Sequence, residues 1–123
     1  LLGSITMAAM GEAFCLGVKA GADPEIMRQV VSVSSGNSNL FQARAEKYIL
    51  KDYFEPGFML DLMKKDIGLA VGLGKELNTP MPIGSAAYQM YALASRLGQG
   101  SSDFSSVCRA AEHLSGVKIA KGE

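Results

Sequence analysis

The stretch Phe58-Met59-Leu60-Asp61-Leu62-Met63-Lys64-Lys65-Asp66-Ile67-Gly68-Leu69-Ala70-Val71-Gly72-Leu73-Gly74-Lys75-Glu76-Leu77 decides the fold. It holds no proline and no alternation of apolar and polar residues, so it reads as one long helix rather than a strand. On a wheel of about 100° per residue, Leu62, Met63, Ile67, Leu69, Ala70 and Leu73 share one broad apolar arc. A helix apolar on one side needs other elements to cover it, and a bundle of helices is the arrangement expected. Asp66 falls inside that arc, and Lys65 stands at its edge beside Phe58 and Leu69. Lys64 points with Lys75 toward the polar side. A carboxylate among leucines has to be paired, hydrogen-bonded or partly hydrated, because burying it alone costs several kcal/mol. Asp66 is therefore expected to face inward. In one reading it pairs with Arg28 or Arg44, or caps another helix, while Lys65 is a solvated charge. In the other, the two belong to a functional site. Asp61, three and four residues before the lysines, also allows a simple intrahelical pair.

Toward the N-terminus, Asp52 to Gly57, with Pro56, reads as the connection into this helix. A shorter helix over about Leu40 to Leu50 precedes it. The small polar run Ser34 to Asn39 is a loop or a new cap. Before that, Asp23 caps a helix with Pro24 in its first turn, ending near Ser34, with Ile26, Met27, Val30 and Val31 spaced for one buried face. The opening helix, Leu1 to about Ala20, closes at Gly21, where a positive φ is easiest for glycine. It is apolar nearly all round, yet it has no basic flank, carries Glu12 and is diluted by Gly3, Gly11 and Gly17. A buried central helix fits better than a membrane span or signal peptide. Glu12 is expected to hydrogen-bond another helix.

Toward the C-terminus, Asn78, Thr79, Pro80 and Pro82 stop the long helix and start one over about Ile83 to Leu97, closed by Gly98 and Gly100. Asp103 or Ser102 caps a last helix to about Leu114, and the tail Ser115 to Glu123 is expected to fray. Gly68, Gly72 and Gly74 follow no strand, so close helix packing explains them better than a phosphate loop. The expectation is a single all-α domain over 1–123, a bundle of about six helices with short loops.

The 123 residues carry 12 basic and 12 acidic side chains, which leaves no electrostatic footprint for nucleic acid or an anionic membrane. Two cysteines, Cys15 and Cys108, and one histidine, His113, cannot supply a usual structural zinc set, so no metal is expected. The cysteines read as reduced thiols of a cytoplasmic protein, His113 as a helix-terminal surface residue, and the seven methionines as adaptable core.

The run Phe54-Glu55-Pro56-Gly57-Phe58 through Lys65-Asp66-Ile67-Gly68-Leu69-Ala70 resembles the β-hydroxyacid dehydrogenase family, which includes 3-hydroxyisobutyrate dehydrogenase and tartronate semialdehyde reductase and is related to 6-phosphogluconate dehydrogenase. The family pattern is a phenylalanine, a few residues of helix, then Lys-Asp-Leu; here isoleucine follows Lys65-Asp66. Glu12-Ala13, Gly21-Ala22-Asp23-Pro24, Pro80-Met81-Pro82, and Gly98-Gln99-Gly100 followed by Asp103-Phe104-Ser105-Ser106-Val107 agree in family order. The resemblance implies a bundle like the C-terminal domain of 6-phosphogluconate dehydrogenase, working beside an N-terminal Rossmann domain that binds most of an NAD or NADP cofactor and is absent from this chain. It implies oxidation of a small hydroxyacid, or reduction of the matching semialdehyde, by a homo-oligomer. The family's catalytic lysine lies in a Lys-x-x-x-Asn helix just before the point where this chain starts. Neither Lys19 nor Lys47 has that context, so no catalytic residue is assigned and the chain alone is expected to be inactive. By the resemblance, Lys65 contacts the cofactor, while Asp66, Phe58, Asn37 and Asn39 border the substrate pocket. Asn39 stands where the family often has an aromatic after the serine. The Gly36-Asn37-Ser38 run with Phe41 and Arg44 looks nearest to the branch acting on threonate or other four-carbon sugar acids. Leu1 is neither an initiator methionine nor preceded by a cap, which reads as a cut inside a longer protein. The alternative is a non-enzymatic helical interaction module, separable by whether a Gly-x-Gly-x-x-Gly segment lies upstream.

Overall fold

Local signals set most of the helix ends. In the computed structural model, which describes residues 1–122, α1 spans Leu2–Lys19. Gly21, at φ +94°, ends it, with its amide on the Val18 carbonyl and the Ala22 amide on that of Gly17. This paired closure satisfies carbonyls the helix leaves open. Helix α2, Pro24–Ser32, starts on the Asp23 carboxylate, which accepts from the Glu25 amide at 2.8 Å. Helix α3, Asn39–Arg44, starts on the Ser38 hydroxyl, which accepts from the Phe41 amide. It widens into a π-helical turn over Ala45–Ile49, so the expected helix to Leu50 is present but not α-helical throughout.

Helix α4, Leu60–Glu76, and α5, Pro82–Ala94, form the next pair, and α5 also ends in a π turn, Ser95–Gln99. A Cβ at Gly68 would come 3.3 Å from the Tyr88 ring, and one at Gly74 would meet Met81, so these two glycines let α4 and α5 approach closely. A 3-10 turn, Phe104–Val107, capped by Asp103, leads into α6, Cys108–Ser115. The fold is an all-α bundle of six α-helices, without a β-strand among the described residues.

Helix α1 packs mainly against α6 and α5 at the centre. Met7, Met10 and Phe14 of α1 join Phe41, Ile49, Leu60, Ile67, Tyr91, Phe104, Val107 and Cys108 in one core, with Phe14 stacked on Phe41. The buried Tyr91 hydroxyl donates to the Ser4 carbonyl at 2.9 Å, tying α5 to α1.

Three expectations fail on burial. In α2 only Met27 and Val31 pack on the core, whereas Ile26 and Val30 are exposed, because the nine-residue helix meets the bundle along one edge. Glu12 is exposed and, among the described residues, makes no side-chain hydrogen bond to another helix. The tail is packed rather than frayed: Ile119 is buried, its amide donates to Glu112, Lys118 pairs with Asp52, and Lys121 pairs with Asp23. Glu123, the end of that tail, lies outside the described residues.

Candidate functional site

The first amides of a helix need acceptors from elsewhere. At α4 they find them on the segment before the 3-10 turn: Leu60 N–H donates to Ser102 O at 2.8 Å and Asp61 N–H to Gly100 O at 3.0 Å. Phe104 N–H donates to Phe58 O, which with the Leu60–Ser102 bond pairs Met59 and Asp103 as an isolated antiparallel bridge, and Asp103 N–H donates to Phe54 O. Ser95 Oγ adds a bond to Asp61 Oδ1 at 2.7 Å.

The Asp103 carboxylate lies beneath this junction at 0% exposure. Its Oδ1 accepts from the amides of Gly57 and Phe58, each at 3.0 Å. Its Oδ2 accepts from Arg44 Nε at 3.1 Å, Ser105 N–H at 3.1 Å and Ser105 Oγ at 2.5 Å. The Arg44 guanidinium also lies over the rings of Tyr48 and Phe104, while Phe58 meets Phe104 edge-on. Burial opposes the charge on Asp103, but the bonds from Ser105 and the Phe58 amide, with Arg44, outweigh it. The carboxyl is held below the ordinary aspartate range. Asp103 also helps burial push the Tyr91 phenol upward.

Beyond this knot, α4 turns Leu60, Met63, Ile67 and Val71 inward. Its opposite side is an open apolar stripe: Leu62 is 42% exposed, Leu69 67%, Leu73 54% and Leu77 67%. Lys65 and Asp66 are exposed on that stripe. Asp66 thus does not face the core, which corrects the wheel reading. The apolar arc is too wide for one neighbour to cover, and Asp66 belongs to its uncovered half. Neither arginine suggested as its partner is free, since Arg28 pairs with Glu25 and Arg44 with Asp103. Among the described residues, neither Lys65 nor Asp66 has an ion pair.

The remaining predicted residues lie apart. Phe58 is half-buried within the Asp103–Arg44 knot. Asn37 and Asn39 are exposed at the start of α3, with the Asn37 side-chain oxygen accepting from Gln42 at 2.8 Å. Arg44, at the other end of α3, carries the knot. Among the described residues no hydrogen bond joins Asn37 or Asn39 to this knot, or either place to Lys65 and Asp66. Asp103 as the centre of the knot was not foreseen beyond its role as a cap. The signal for it is the polar run Asp103-Phe104-Ser105-Ser106, every residue of which is buried.

No group of three metal-binding side chains occurs among the described residues, and no helix is long and apolar enough to cross a membrane. Cys15 and Cys108 are free and buried, and burial pushes both thiols up. With no strand among the described residues, they hold no strand–glycine-turn–helix cradle for a dinucleotide. They do hold an unpaired lysine on an apolar face, which fits one edge of an anionic nicotinamide nucleotide.

A helical bundle of this kind is found as part of the hydroxyacid dehydrogenases. A crystal structure of 3-hydroxyisobutyrate dehydrogenase from Salmonella typhimurium matches 88% of this chain and 38% of its own, with a TM-score of 0.83 and 33% identity. Residues 1–111 match the model for the NAD-binding domain of NADP-dependent 3-hydroxyisobutyrate dehydrogenase, and the chain belongs to that family. It is 40% identical to 2-(hydroxymethyl)glutarate dehydrogenase of Eubacterium barkeri over all 123 residues, which are 41% of that protein. It is 36% identical to an L-threonate dehydrogenase of Cupriavidus necator over 109 residues, 89% of this chain and 36% of that protein. The chain therefore spans about two fifths of the length of these curated relatives.

Proposed function

We propose that this chain is the helical half of an NAD(P)-dependent β-hydroxyacid dehydrogenase that oxidises a small hydroxyacid or reduces the matching semialdehyde. The observation that carries this reading is the open leucine stripe of α4 with Lys65 and Asp66 on it and no partner for either among the described residues. Such a face fits a domain that meets its ligand and an N-terminal Rossmann domain at the same surface. When bound, the nicotinamide accepts or donates the hydride.

In this reading Lys65 holds the anionic nucleotide from the helical side, and the leucines beside it exclude water. Asp66 and Phe58 border the substrate, and Asn37 and Asn39 offer amides to its hydroxyl or carboxylate oxygens. The proton at the substrate hydroxyl is handled by a lysine outside this chain. Exposed Leu2 and Leu16 on α1, with Ile26 and Val30 on α2, favour a homo-oligomer. Two free buried thiols accord with a cytoplasmic location.

The test is Lys65→Ala in the intact protein. Loss of one charge-assisted contact is expected to weaken NAD(P) binding roughly tenfold, about 1.4 kcal/mol. An unchanged dissociation constant overturns the assignment. Turnover by the isolated chain would overturn its role as one half of the enzyme.

A further inference from the structure

The knot at Asp103 demands more than a helix cap does. We infer that Asp103 is the positioning residue for Lys65: its buried carboxylate fixes the entry of α4, and with it the place from which Lys65 reaches the nucleotide. This rests on the reading of Lys65 given above.

A carboxylate offers about four lone-pair sites, while an asparagine offers one carbonyl oxygen and two N–H donors. Asp103 accepts five bonds, from Arg44, Gly57, Phe58 and Ser105, residues up to 59 positions away in sequence. A side chain capping only its own 3-10 turn needs just the Ser105 contacts. The bonds from Gly57 and Phe58 instead hold the backbone immediately before α4, and the Phe104 amide on Phe58 O at 2.7 Å holds it from the other strand of the bridge. Lys65 lies five residues past Leu60, about 7.5 Å along a rigid helix. Its neighbours Leu62 and Leu69 are exposed, and the side of α4 that meets the core carries Leu60, Met63, Ile67 and Val71. The clamp at the helix entry therefore sets how that open side is presented. Ser95 on Asp61 is a second pin, and it lies at the surface.

The experiment is a double-mutant cycle in the intact protein, with Lys65→Ala, Asp103→Asn and the two combined, read by titration with NAD(P)H. Asp103→Asn is expected to weaken nucleotide binding roughly fivefold in the Lys65 protein and by less than about twofold when Lys65 is already alanine. An equal loss in both backgrounds shows that Asp103 acts through general stability and overturns the inference. So does no loss in the single variant. If Lys65→Ala itself leaves binding unchanged, the reading of Lys65 falls and takes the inference with it. Ser105→Ala, which removes only the 2.5 Å hydroxyl bond, covers the case in which Asp103→Asn does not fold. It is expected to give about a twofold loss that vanishes in the Lys65→Ala background, and persistence there counts against the inference.

Discussion

Asp103 and Asp66 lie at opposite ends of one question, how a helical bundle treats an acid near its apolar surface. Asp103 is buried, with both oxygens occupied by this chain's own donors. Asp66 sits among exposed leucines with no donor of its own among the described residues. The first acid is bound into the fold, and the second is left for whatever covers α4. An acid within an apolar arc thus marks either a finished internal network or an unfinished external surface, and only the tertiary packing tells which.

The comparison breaks first on stability. Asp103→Ala removes one partner of a buried ion pair and is expected to cost about 3–5 kcal/mol, whereas Asp66→Ala or Leu69→Gln should change the stability of this chain by less than about 0.5 kcal/mol. Urea unfolding of the three variants checks both halves. Similar losses at Asp103 and Asp66 would erase the distinction.

Acid sharpens it. The folded pKa of Asp103 is depressed, so its contribution is fully present above the unfolded aspartate value, near 3.9, and is lost as the pH falls through the lower folded value. Urea midpoints should drop over that window in the parent protein and drop less in Asp103→Asn. An equal acid dependence in both would place the sensitive group elsewhere.

The smallest expected effect concerns assembly. Leu16 is 75% exposed on α1, and Leu16→Glu should leave the fold intact, within about 0.5 kcal/mol, while shifting sedimentation toward monomer. A parent chain already monomeric at high concentration would remove the oligomer from the proposal.

Much of the fold was legible because its signals are local. Gly21, Asp23, Pro24 and Ser38 act within three or four residues, and each stands at its helix end. Asp103 was legible as a cap for the same reason, through Ser105 two residues on. Its other partners, Arg44, Gly57 and Phe58, are 45 to 59 residues away, and no spacing rule connects them. Asp66 was placed inward because a wheel gives the direction of an apolar arc but not how much of it a neighbour covers. Ile26 and Val30 were misplaced in the same way. The tail reads as frayed because Val117 and Ile119 among small and polar residues make no helical period, yet these two side chains and two lysine pairs hold it.

The central contact of this bundle joins its two ends. Helix α1 packs on α6, and Lys19 donates to the carbonyl of Ser115, 96 residues away. Within this domain, synthesis from the N-terminal side makes the most apolar helix before the helix that covers it. Met7, Met10 and Phe14 must stay shielded by other means until Cys108 to Ser115 has left the ribosome. Closure of this small helical domain therefore waits for α6, and a chain interrupted before α6 exposes its core rather than a shortened version of its fold.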